Sequence, residues 1–262
     1  MPATPPLARS LAIQFRVLRA IILREVITRY GRDNLGVLWL FFEPMLFTVG
    51  VLGLWTLMGI GGHQLPIAAF CVTGYSSVLL WRNCANRASM AIPPNHGLLY
   101  HRNVRVLDLL MARIILEVVG AMLSFIILTC FFVYIGVMEW PDDLLKVVFG
   151  WMLLSWFGAS LAILIGAASA FSQVVERLWH PAAYLFFPLA GAVYLVDWLP
   201  LQYQQLALYI PTVSGLELMR EGYFGDAMKA HYDLVYMMTF CLGQTLLALW
   251  LVRQAGQHVE LQ

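Results

Sequence analysis

The chain has 262 residues, of which 61% are hydrophobic and 12% are charged, and its formal net charge is +1. Soluble globular domains carry about 25% charged residues, so this composition excludes an ordinary soluble protein. It indicates an integral membrane protein, and we expect no nucleic-acid partner.

Six stretches are long and apolar enough to cross a bilayer, which takes ~20 residues for about 30 Å of hydrocarbon. Because lipid offers no partner to backbone amides, each stretch is expected to be a helix. The predicted spans are residues 36–60, 65–81, 107–137, 144–171, 179–198 and 232–252. The predicted fold is therefore all-α with six transmembrane helices in a single domain, residues 1–262.

Lysine and arginine are distributed unevenly between the two sides of these spans. Thirteen lie on the side that holds both termini, and three lie on the other side. The positive-inside rule therefore predicts that both termini are cytoplasmic. The first ten residues contain three prolines and no apolar signal-peptide core, so the first span itself is expected to direct insertion.

An arginine-rich amphipathic segment, residues 8–34, precedes the first span. Arginines lie roughly opposite an apolar face of the predicted helix. That face carries five residues: Leu11, Phe15, Leu18, Ile22 and Val26. Such a helix lies in the plane of the lipid headgroups. Two interpretations stay open, a juxtamembrane anchor or a movable helix at a cytoplasmic entrance. The arginines predicted to line that entrance are Arg16, Arg24, Arg29 and Arg32.

The first span contains Glu43, followed by a helix-breaking proline, Pro44. Glu43 lies roughly 10 Å along the helix from Gly36 at 1.5 Å per residue. A carboxylate facing lipid there is costly, so Glu43 is expected to face protein or a water-filled cavity. Either a structural hydrogen bond or a place on a translocation path explains it.

The cytoplasmic loop over residues 93–106 begins with Pro93-Pro94 and is predicted to contain a short helix that docks on a soluble partner. The residues assigned to this docking are Asn95, His96, Gly97, Leu98, Tyr100 and Arg102. An ordinary basic cytoplasmic loop is the alternative. Just beyond, Arg113 and Glu117 are spaced i,i+4 and are predicted to neutralise each other.

In the loop over residues 199–228, the stretch 199–210 is too short to span the membrane and too apolar for a free loop. Pro200 and Pro211 act as stops, so we predict two short helices that dip back into the outer leaflet. Glu217 and Arg220 are spaced i,i+3, which suits an ion pair. The residues assigned to an outer gate are Pro211, Glu217 and Arg220, and an interfacial cap with a surface ion pair is the alternative.

Motifs for chemistry are missing from the sequence. There is no P-loop, no HExxH or CxxC pair and no G-x-S-x-G elbow. We therefore predict no catalytic residue, no metal site and no cofactor in this chain.

Several runs together resemble the permease subunit of capsule polysaccharide ABC exporters in Gram-negative bacteria, within the type-2 ABC transporter permeases. These runs are Leu23-Arg24-Glu25, Thr28-Arg29-Tyr30-Gly31, Leu35-Gly36, Leu38-Trp39, Glu43-Pro44, Gly97-Leu98, Arg102, Asp108, Ala112-Arg113, Glu117, Pro211, Glu217 and Arg220. Two positions differ from this family. Relatives often have asparagine at the position of Ile210, and they can have proline at the position of Asn103.

The resemblance implies an inner-membrane homodimer with two copies of a separate ATPase, which would hold ATP and magnesium. It also implies a periplasmic co-polymerase and an outer-membrane export protein as further partners. Residues 8–34 would be the gate helix, residues 93–106 the coupling loop and residues 199–228 the periplasmic gate. A lipid-linked capsular glycan would enter between spans one and five.

Aromatic residues in spans one and five fit such a path, because sugar rings have apolar faces that stack on aromatic rings. The residues assigned to the path, with Glu43, are Trp39, Phe42, Phe47, Tyr184, Phe187 and Tyr194. Aromatic residues are also common in membrane proteins for ordinary packing reasons. Two other functions stay open: a type-2 permease for another cargo, such as O-antigen, teichoic acid, a glycolipid or a drug, and a membrane protein without transport activity.

Overall fold

The computed structural model describes residues 7–31, 38–59, 65–99 and 104–260, and in these residues the regular structure is helical, without a β-strand. The α-helices of this part of the chain are α1 (Leu7–Tyr30), α2 (Trp39–Leu57), α3 (Ile67–Ser89), α4 (His96–Leu99), α5 (Val106–Tyr134), α6 (Leu144–Ser169), α7 (Gln173–Phe186), α8 (Leu201–Leu208), α9 (Pro211–Phe224) and α10 (Leu234–Glu260). The predicted all-α class is confirmed.

Four helices in the described residues are long and apolar enough to cross a membrane: α2, α5, α6 and α10. They correspond to four of the six predicted spans. The remaining two windows, residues 65–81 and 179–198, stay predictions as spans, and each differs from its predicted bounds for a physical reason.

Helix α3 lies at the centre of the protein and packs against α5 and α6. Of its 23 residues, 18 are buried. Protein rather than lipid encloses this helix, so it accommodates small polar residues whose hydroxyls bond within the helix. The Thr73 Oγ1 atom donates to the Ala69 carbonyl at 2.8 Å, and the Ser77 Oγ atom donates to the Thr73 carbonyl at 2.6 Å.

Helix α3 extends beyond the second predicted span at its C-terminal end. The apolar window stops at Trp81 because Arg82 is charged, but α3 continues to Ser89. The last two turns carry polar side chains that contact other helices. One of these contacts is a hydrogen bond from the Trp179 Nε1 atom in α7 to the Asn86 Oδ1 atom at 2.8 Å.

The window 179–198 is not one continuous helix. Helix α7 ends at Phe186, and short 3-10 turns follow at Pro188–Ala190 and Val196–Trp198. Pro188 has no backbone N–H, and Gly191 has a left-handed φ of 90° that reverses the chain direction. We call residues 187–199 the broken segment.

The outer loop contains two short helices, as predicted. Helix α8 follows Pro200, and α9 begins at Pro211, where a proline is favourable because the first helical N–H needs no partner. Helix α9 is almost entirely buried and packs against α6 and α10. The descent of these helices into the outer leaflet stays a prediction.

Helix α1 packs along the N-terminal part of α5. Ile21 forms a buried cluster with Leu109 and Ala112 of α5, and Leu18 and Ile22 pack against that cluster. Leu11 and Phe15 of the predicted apolar face are 67% and 70% exposed, and the place of this helix in the headgroup plane stays a prediction. The helical part of predicted segment 8–34 ends at Tyr30 in the described residues, and residues 32–37 lie outside them.

Candidate functional site

A polar cavity of about 440 Å³ opens where α1 meets the predicted coupling loop and α5. It is lined by Arg24, Glu25, Thr28, Arg87, Met90, Pro94, Asn95 and Arg113. Four helices or turns that are distant in sequence thus contribute charged and polar groups to one place.

The first contact across this cavity joins α1 to the coupling loop. The Arg24 Nη1 atom donates to the Asn95 Oδ1 atom at 2.7 Å, and the Asn95 Nδ2 atom donates to the Ala91 carbonyl at 2.9 Å. Arg24 was assigned to the cytoplasmic entrance and Asn95 to ATPase coupling. The structure brings these two predicted sites into direct contact.

The second contact joins α1 to α5 through an ion pair. The Arg113 Nε atom lies 2.7 Å from the Glu25 Oε1 atom, and both side chains are nearly enclosed. The Arg113 Nη1 atom also donates to the Arg87 carbonyl at 2.7 Å. At the other end of α1, Gln14 donates to Asp108 of α5.

Glu117 makes an ion pair that the sequence spacing did not predict. Its Oε1 atom lies 3.6 Å from the Arg87 Nε atom of α3, and its side chain is buried. Arg113 and Glu117 therefore each contact another helix, and their predicted i,i+4 pair stays a prediction.

The remaining coupling and entrance residues are only partly described. His96, Gly97 and Leu98 lie in α4, where Gly97 is exposed and Leu98 packs against the Ile21 cluster. Arg16 is exposed on α1, and Arg29 belongs to the last turn of α1. Arg32, Tyr100 and Arg102 lie outside the described residues.

Glu43 is located in the first turns of α2, next to the buried Pro44. Its Oε2 atom lies 3.7 Å from the Arg87 Nη2 atom, and the two side chains are 52% and 41% exposed. Arg87 therefore lies between two acids, Glu43 of α2 and Glu117 of α5. Glu43 thus contacts protein while half of its side chain remains accessible, and its expected place facing protein or a water-filled cavity stays a prediction.

We expect replacement of Glu43 by alanine to impair export while leaving the folded protein intact. An accessible ion pair at 3.7 Å contributes no more than about 1 kcal/mol to stability. Thermal unfolding of the purified variant and membrane fractionation measure folding and insertion, and surface polysaccharide measures export. Glu139→Ala, which removes an exposed acid from the loop between α5 and α6, is the matched control. Normal export by Glu43→Ala would contradict a place for Glu43 on the path.

Aromatic rings from α2, α3 and the end of α7 meet between these helices. Tyr75 of α3 lies between Phe47 of α2 and Phe187, at ring-centroid distances of 6.0 Å and 5.5 Å. Phe47 and Phe187 are 6.5 Å apart in an edge-to-face arrangement. Two residues that were assigned to the path from the sequence are therefore neighbours.

The ring contacts continue toward the outer side. Trp55 of α2 lies 6.1 Å from Tyr75 and 6.0 Å from Phe70, and Phe70 stacks on Trp198 at 5.1 Å. We call this continuous set the aromatic ladder, which consists of Phe47, Tyr75, Phe187, Trp55, Phe70 and Trp198. Tyr75 and Phe70 belong to α3, which sequence reasoning had not assigned to the path.

The other predicted path residues lie apart from the centre of the ladder. Trp39 and Phe42 form their own pair at 5.7 Å in the first turns of α2 and are half exposed. Tyr194 belongs instead to an outer cluster with Val196, Ala207 and Val213. Its hydroxyl donates to the Leu189 carbonyl at 2.9 Å within the broken segment.

Arg82 lies at the inner end of the ladder and was missed by the sequence reasoning. Its Cζ atom is 5.4 Å from the ring centroids of both Phe47 and Tyr184, and 5.9 Å from that of Phe187. The predicted path residue Tyr184 is thus placed beside the ladder through this cation. An arginine directly after the fully buried Trp81 was the available sequence signal.

The outer end of the ladder is held by Arg220 of α9, which is fully buried. Its Nη1 atom donates to the carbonyls of Gly191 and Tyr194, both at 2.8 Å, and its Nη2 atom donates to the Ala192 carbonyl at 2.7 Å. Its Cζ atom lies 3.9 Å from the centroid of the Phe70 ring. A guanidinium thus satisfies backbone carbonyls that the broken segment leaves without helical partners.

Glu217 of α9 accepts hydrogen bonds from backbone N–H groups, whereas Arg220 donates hydrogen bonds to backbone carbonyls. Its Oε1 atom accepts from the Val196 N–H at 3.2 Å, and its Oε2 atom accepts from the His231 N–H at 3.1 Å. The hydrogen bonds of Glu217 go to backbone, and those of Arg220 go to backbone and to the Thr73 Oγ1 atom, which lies 3.5 Å from the Arg220 Nε atom. Glu217 and Arg220 do not bond to each other, so the alternative of a surface ion pair is wrong. Both residues are buried.

The closeness of α3 to this outer site requires a glycine. A Cβ atom on Gly74 would lie 2.5 Å from the Arg220 Nη2 atom and 2.6 Å from the Ala192 carbonyl oxygen. Helix α3, the broken segment and α9 are therefore packed at backbone distance.

The described residues contain no group of three or more His, Cys, Asp or Glu side chains that is arranged to hold a metal ion. The helices, the polar cavity and the aromatic ladder define a polytopic helical membrane protein with an aromatic-lined contact between two of its helices.

Comparison with known proteins gives the family. The chain is 38% identical over 255 residues to the capsule polysaccharide export inner-membrane protein BexB of Haemophilus influenzae, covering 97% of this chain and 96% of that protein. It is 39% identical over 254 residues to the corresponding protein CtrC of Neisseria meningitidis, with the same coverage of both chains. The polysialic acid transport protein KpsM of Escherichia coli is 26% identical over 257 residues, with 92% and 95% coverage. No family model matches the chain.

The chain belongs to the family of capsule polysaccharide export inner-membrane proteins. The resemblance that the sequence motifs carried is confirmed.

Proposed function

We propose that this chain is the inner-membrane permease that exports a lipid-linked capsular polysaccharide from the cytoplasm to the periplasm. The observation that carries the proposal is near-full-length similarity, at 38–39% identity, to two proteins named for capsule polysaccharide export. In this role the chain is a transport subunit and not an enzyme.

The proposed assembly is a homodimer that encloses the channel between its protomers. Each protomer contributes six spans, with α3 and the α7 region as the two spans that are less apolar than the others. Both termini are cytoplasmic, and α8 and α9 re-enter the outer leaflet as a gate. Burial of α9 and its bonds to the broken segment support a fixed outer structure there.

Two copies of a separate ATPase, which bind ATP and magnesium, are proposed to dock on the coupling loop. The hydrogen bond between Arg24 and Asn95 supports this arrangement because it links the loop directly to α1. A periplasmic co-polymerase and an outer-membrane export protein are proposed to continue the route to the cell surface.

The proposed path lies between α2 and the α7 region, along the aromatic ladder. A sliding polymer requires many weak and similar contacts instead of one tight site. Aromatic rings offer these contacts to the apolar faces of successive sugars without fixing a register.

A deletion experiment tests the function. Cells that lack the gene are expected to lose surface polysaccharide and to accumulate it inside, and the restored gene is expected to reverse both effects. Surface polysaccharide is measured on intact cells and the internal pool after lysis. Unchanged surface polysaccharide in the deletion strain, or failure of the protein to co-purify with an ATPase, would contradict the proposal.

A further inference from the structure

Arg82 occupies an unusual position for a cation. It lies in α3 seven residues before the helix ends at Ser89, which is about 10 Å along the helix axis. Rings from two other parts of the chain surround its guanidinium, namely Phe47 of α2 and the pair Tyr184 and Phe187 of the α7 region. A guanidinium over aromatic faces is stabilised by the ring quadrupoles, which replace part of its hydration.

The hydrogen-bonding capacity of Arg82 is not used by the described residues around it. Its Nε atom is buried, and no acceptor in the described part of the chain bonds to it. Glu43, whose charge acts on Arg82, makes its ion pair with Arg87 instead. Buried donors are normally satisfied, so an unsatisfied one in a native site calls for a ligand or another explanation.

Arg220 provides an internal comparison at the other end of the aromatic ladder. It also contacts an aromatic ring, but its donors are bound to the carbonyls of Gly191, Ala192 and Tyr194. Arg220 is therefore committed to the fold. Arg82 is also a guanidinium beside aromatic rings, but no backbone carbonyl in the described part of the chain accepts a hydrogen bond from its Nε atom.

We propose that Arg82 binds oxyanions carried by the lipid-linked glycan as it moves along the aromatic ladder. This inference rests on the proposed function and names the chemical class that the path selects. The ligand is a carboxylate of an acidic sugar in the polymer or a phosphate at its lipid-linked end. A planar guanidinium binds either oxyanion through two parallel hydrogen bonds.

The surrounding rings explain why such binding does not trap the polymer. When an anion leaves, the rings of Phe47, Tyr184 and Phe187 still stabilise the guanidinium. Release therefore does not leave the positive charge without a stabilising contact. The same rings contact the apolar faces of the neighbouring sugars. Anion recognition and sliding are thereby combined in one place.

Binding measurements on the purified permease with its ATPase in lipid nanodiscs test this inference. Three probes are used: an oligogalacturonate for the carboxylate, a short-chain phosphatidic acid for the phosphate, and a maltooligosaccharide of equal length as the neutral sugar. Arg82→Gln is expected to weaken binding of at least one anionic probe tenfold or more. Arg82→Lys is expected to fall between Arg82→Gln and the unaltered protein, because an ammonium keeps the positive charge but not the two parallel hydrogen bonds of a guanidinium. The anionic probe that loses affinity identifies which oxyanion is recognised.

Arg253→Gln is the matched control because it removes an exposed arginine from α10. The inference is overturned if Arg82→Gln binds the anionic probes as the unaltered protein does, or if that protein binds neither of them. It is also overturned if Arg82→Gln loses the neutral sugar equally, because the residue then only shapes the path.

Surface polysaccharide separates this inference from the proposed function. If the unaltered gene restores surface polysaccharide to a deletion strain but Arg82→Gln binds anions normally, only the inference fails. If the unaltered gene restores nothing, the proposed function fails. Co-purification of the ATPase with Arg82→Gln establishes that the variant is folded.

Discussion

Replacement of Arg220 by methionine is expected to destabilise the protein more than any other single change considered. Methionine fills most of the volume, so the effect reports lost hydrogen bonds and not a cavity. The buried carbonyls of Gly191 and Ala192 and the half-buried carbonyl of Tyr194 would lose their donor. An unsatisfied buried polar group costs about 1–3 kcal/mol, so the total loss is at least about 3 kcal/mol.

The measurement is thermal unfolding of the purified protein, in which about 3 kcal/mol corresponds to a Tm lowered by roughly 6–12 °C. Arg220→Lys is expected to be intermediate, because a compact ammonium does not span three carbonyls as a guanidinium does. Arg253→Met, at an exposed position of α10, should change the free energy of unfolding by less than about 0.5 kcal/mol. An unchanged Tm for Arg220→Met would show that these bonds do not hold the broken segment.

Loss of the ion pair between Glu25 and Arg113 is expected to release α1 from α5. The two side chains are only 13% and 12% exposed and their charged atoms are 2.7 Å apart. Removal of one partner of a buried pair leaves an uncompensated charge and costs about 3–5 kcal/mol. Because α1 otherwise contacts α5 through a small apolar cluster around Ile21 and a hydrogen bond from Gln14 to Asp108, this loss should be concentrated in α1.

Amide hydrogen exchange measures this release directly. In Glu25→Ala and in Arg113→Ala, protection of α1 amides is expected to fall by roughly 10²–10³, since about 1.4 kcal/mol corresponds to a factor of ten. The double variant should cost less than the sum of the single variants, because the two residues share one interaction. Arg16→Ala, which removes an exposed arginine of α1, is the control. Equal protection of α1 in all these proteins would exclude the pair as its attachment.

The helical fold could be predicted from the sequence, because an apolar segment long enough to cross a bilayer satisfies its backbone hydrogen bonds in lipid by forming a helix. The helix ends differ from the ends of the predicted spans where other parts of the protein, instead of lipid, surround the chain. Arg82 ended the apolar window, but α3 continues to Ser89 because protein surrounds that part of the helix. Residues 179–198 are apolar throughout much of their length, yet Pro188 and Gly191 break the helix after Phe186.

The site was only half predictable for a related reason. Phe47 and Phe187 were both assigned to the path because they belong to the two spans between which the glycan was expected to enter; their rings lie 6.5 Å apart, and their role on the path stays a prediction. The partners of Glu217, Arg220 and Arg113 were not predictable, because sequence spacing favours i,i+3 and i,i+4 pairs within one helix. In the structure these charges bind the backbone of the broken segment or a distant helix.

Photo-crosslinking in living cells tests most directly whether the polysaccharide moves along the aromatic ladder. A photoreactive phenylalanine analogue is placed at Phe47 or Phe187, and as a control at Trp250, an exposed residue of α10. If the polysaccharide moves along the aromatic ladder, irradiation is expected to attach it to the protein at positions 47 and 187 while export is active, and not at position 250. Polysaccharide attached equally at all three positions, or absent from positions 47 and 187 in exporting cells, would contradict this path.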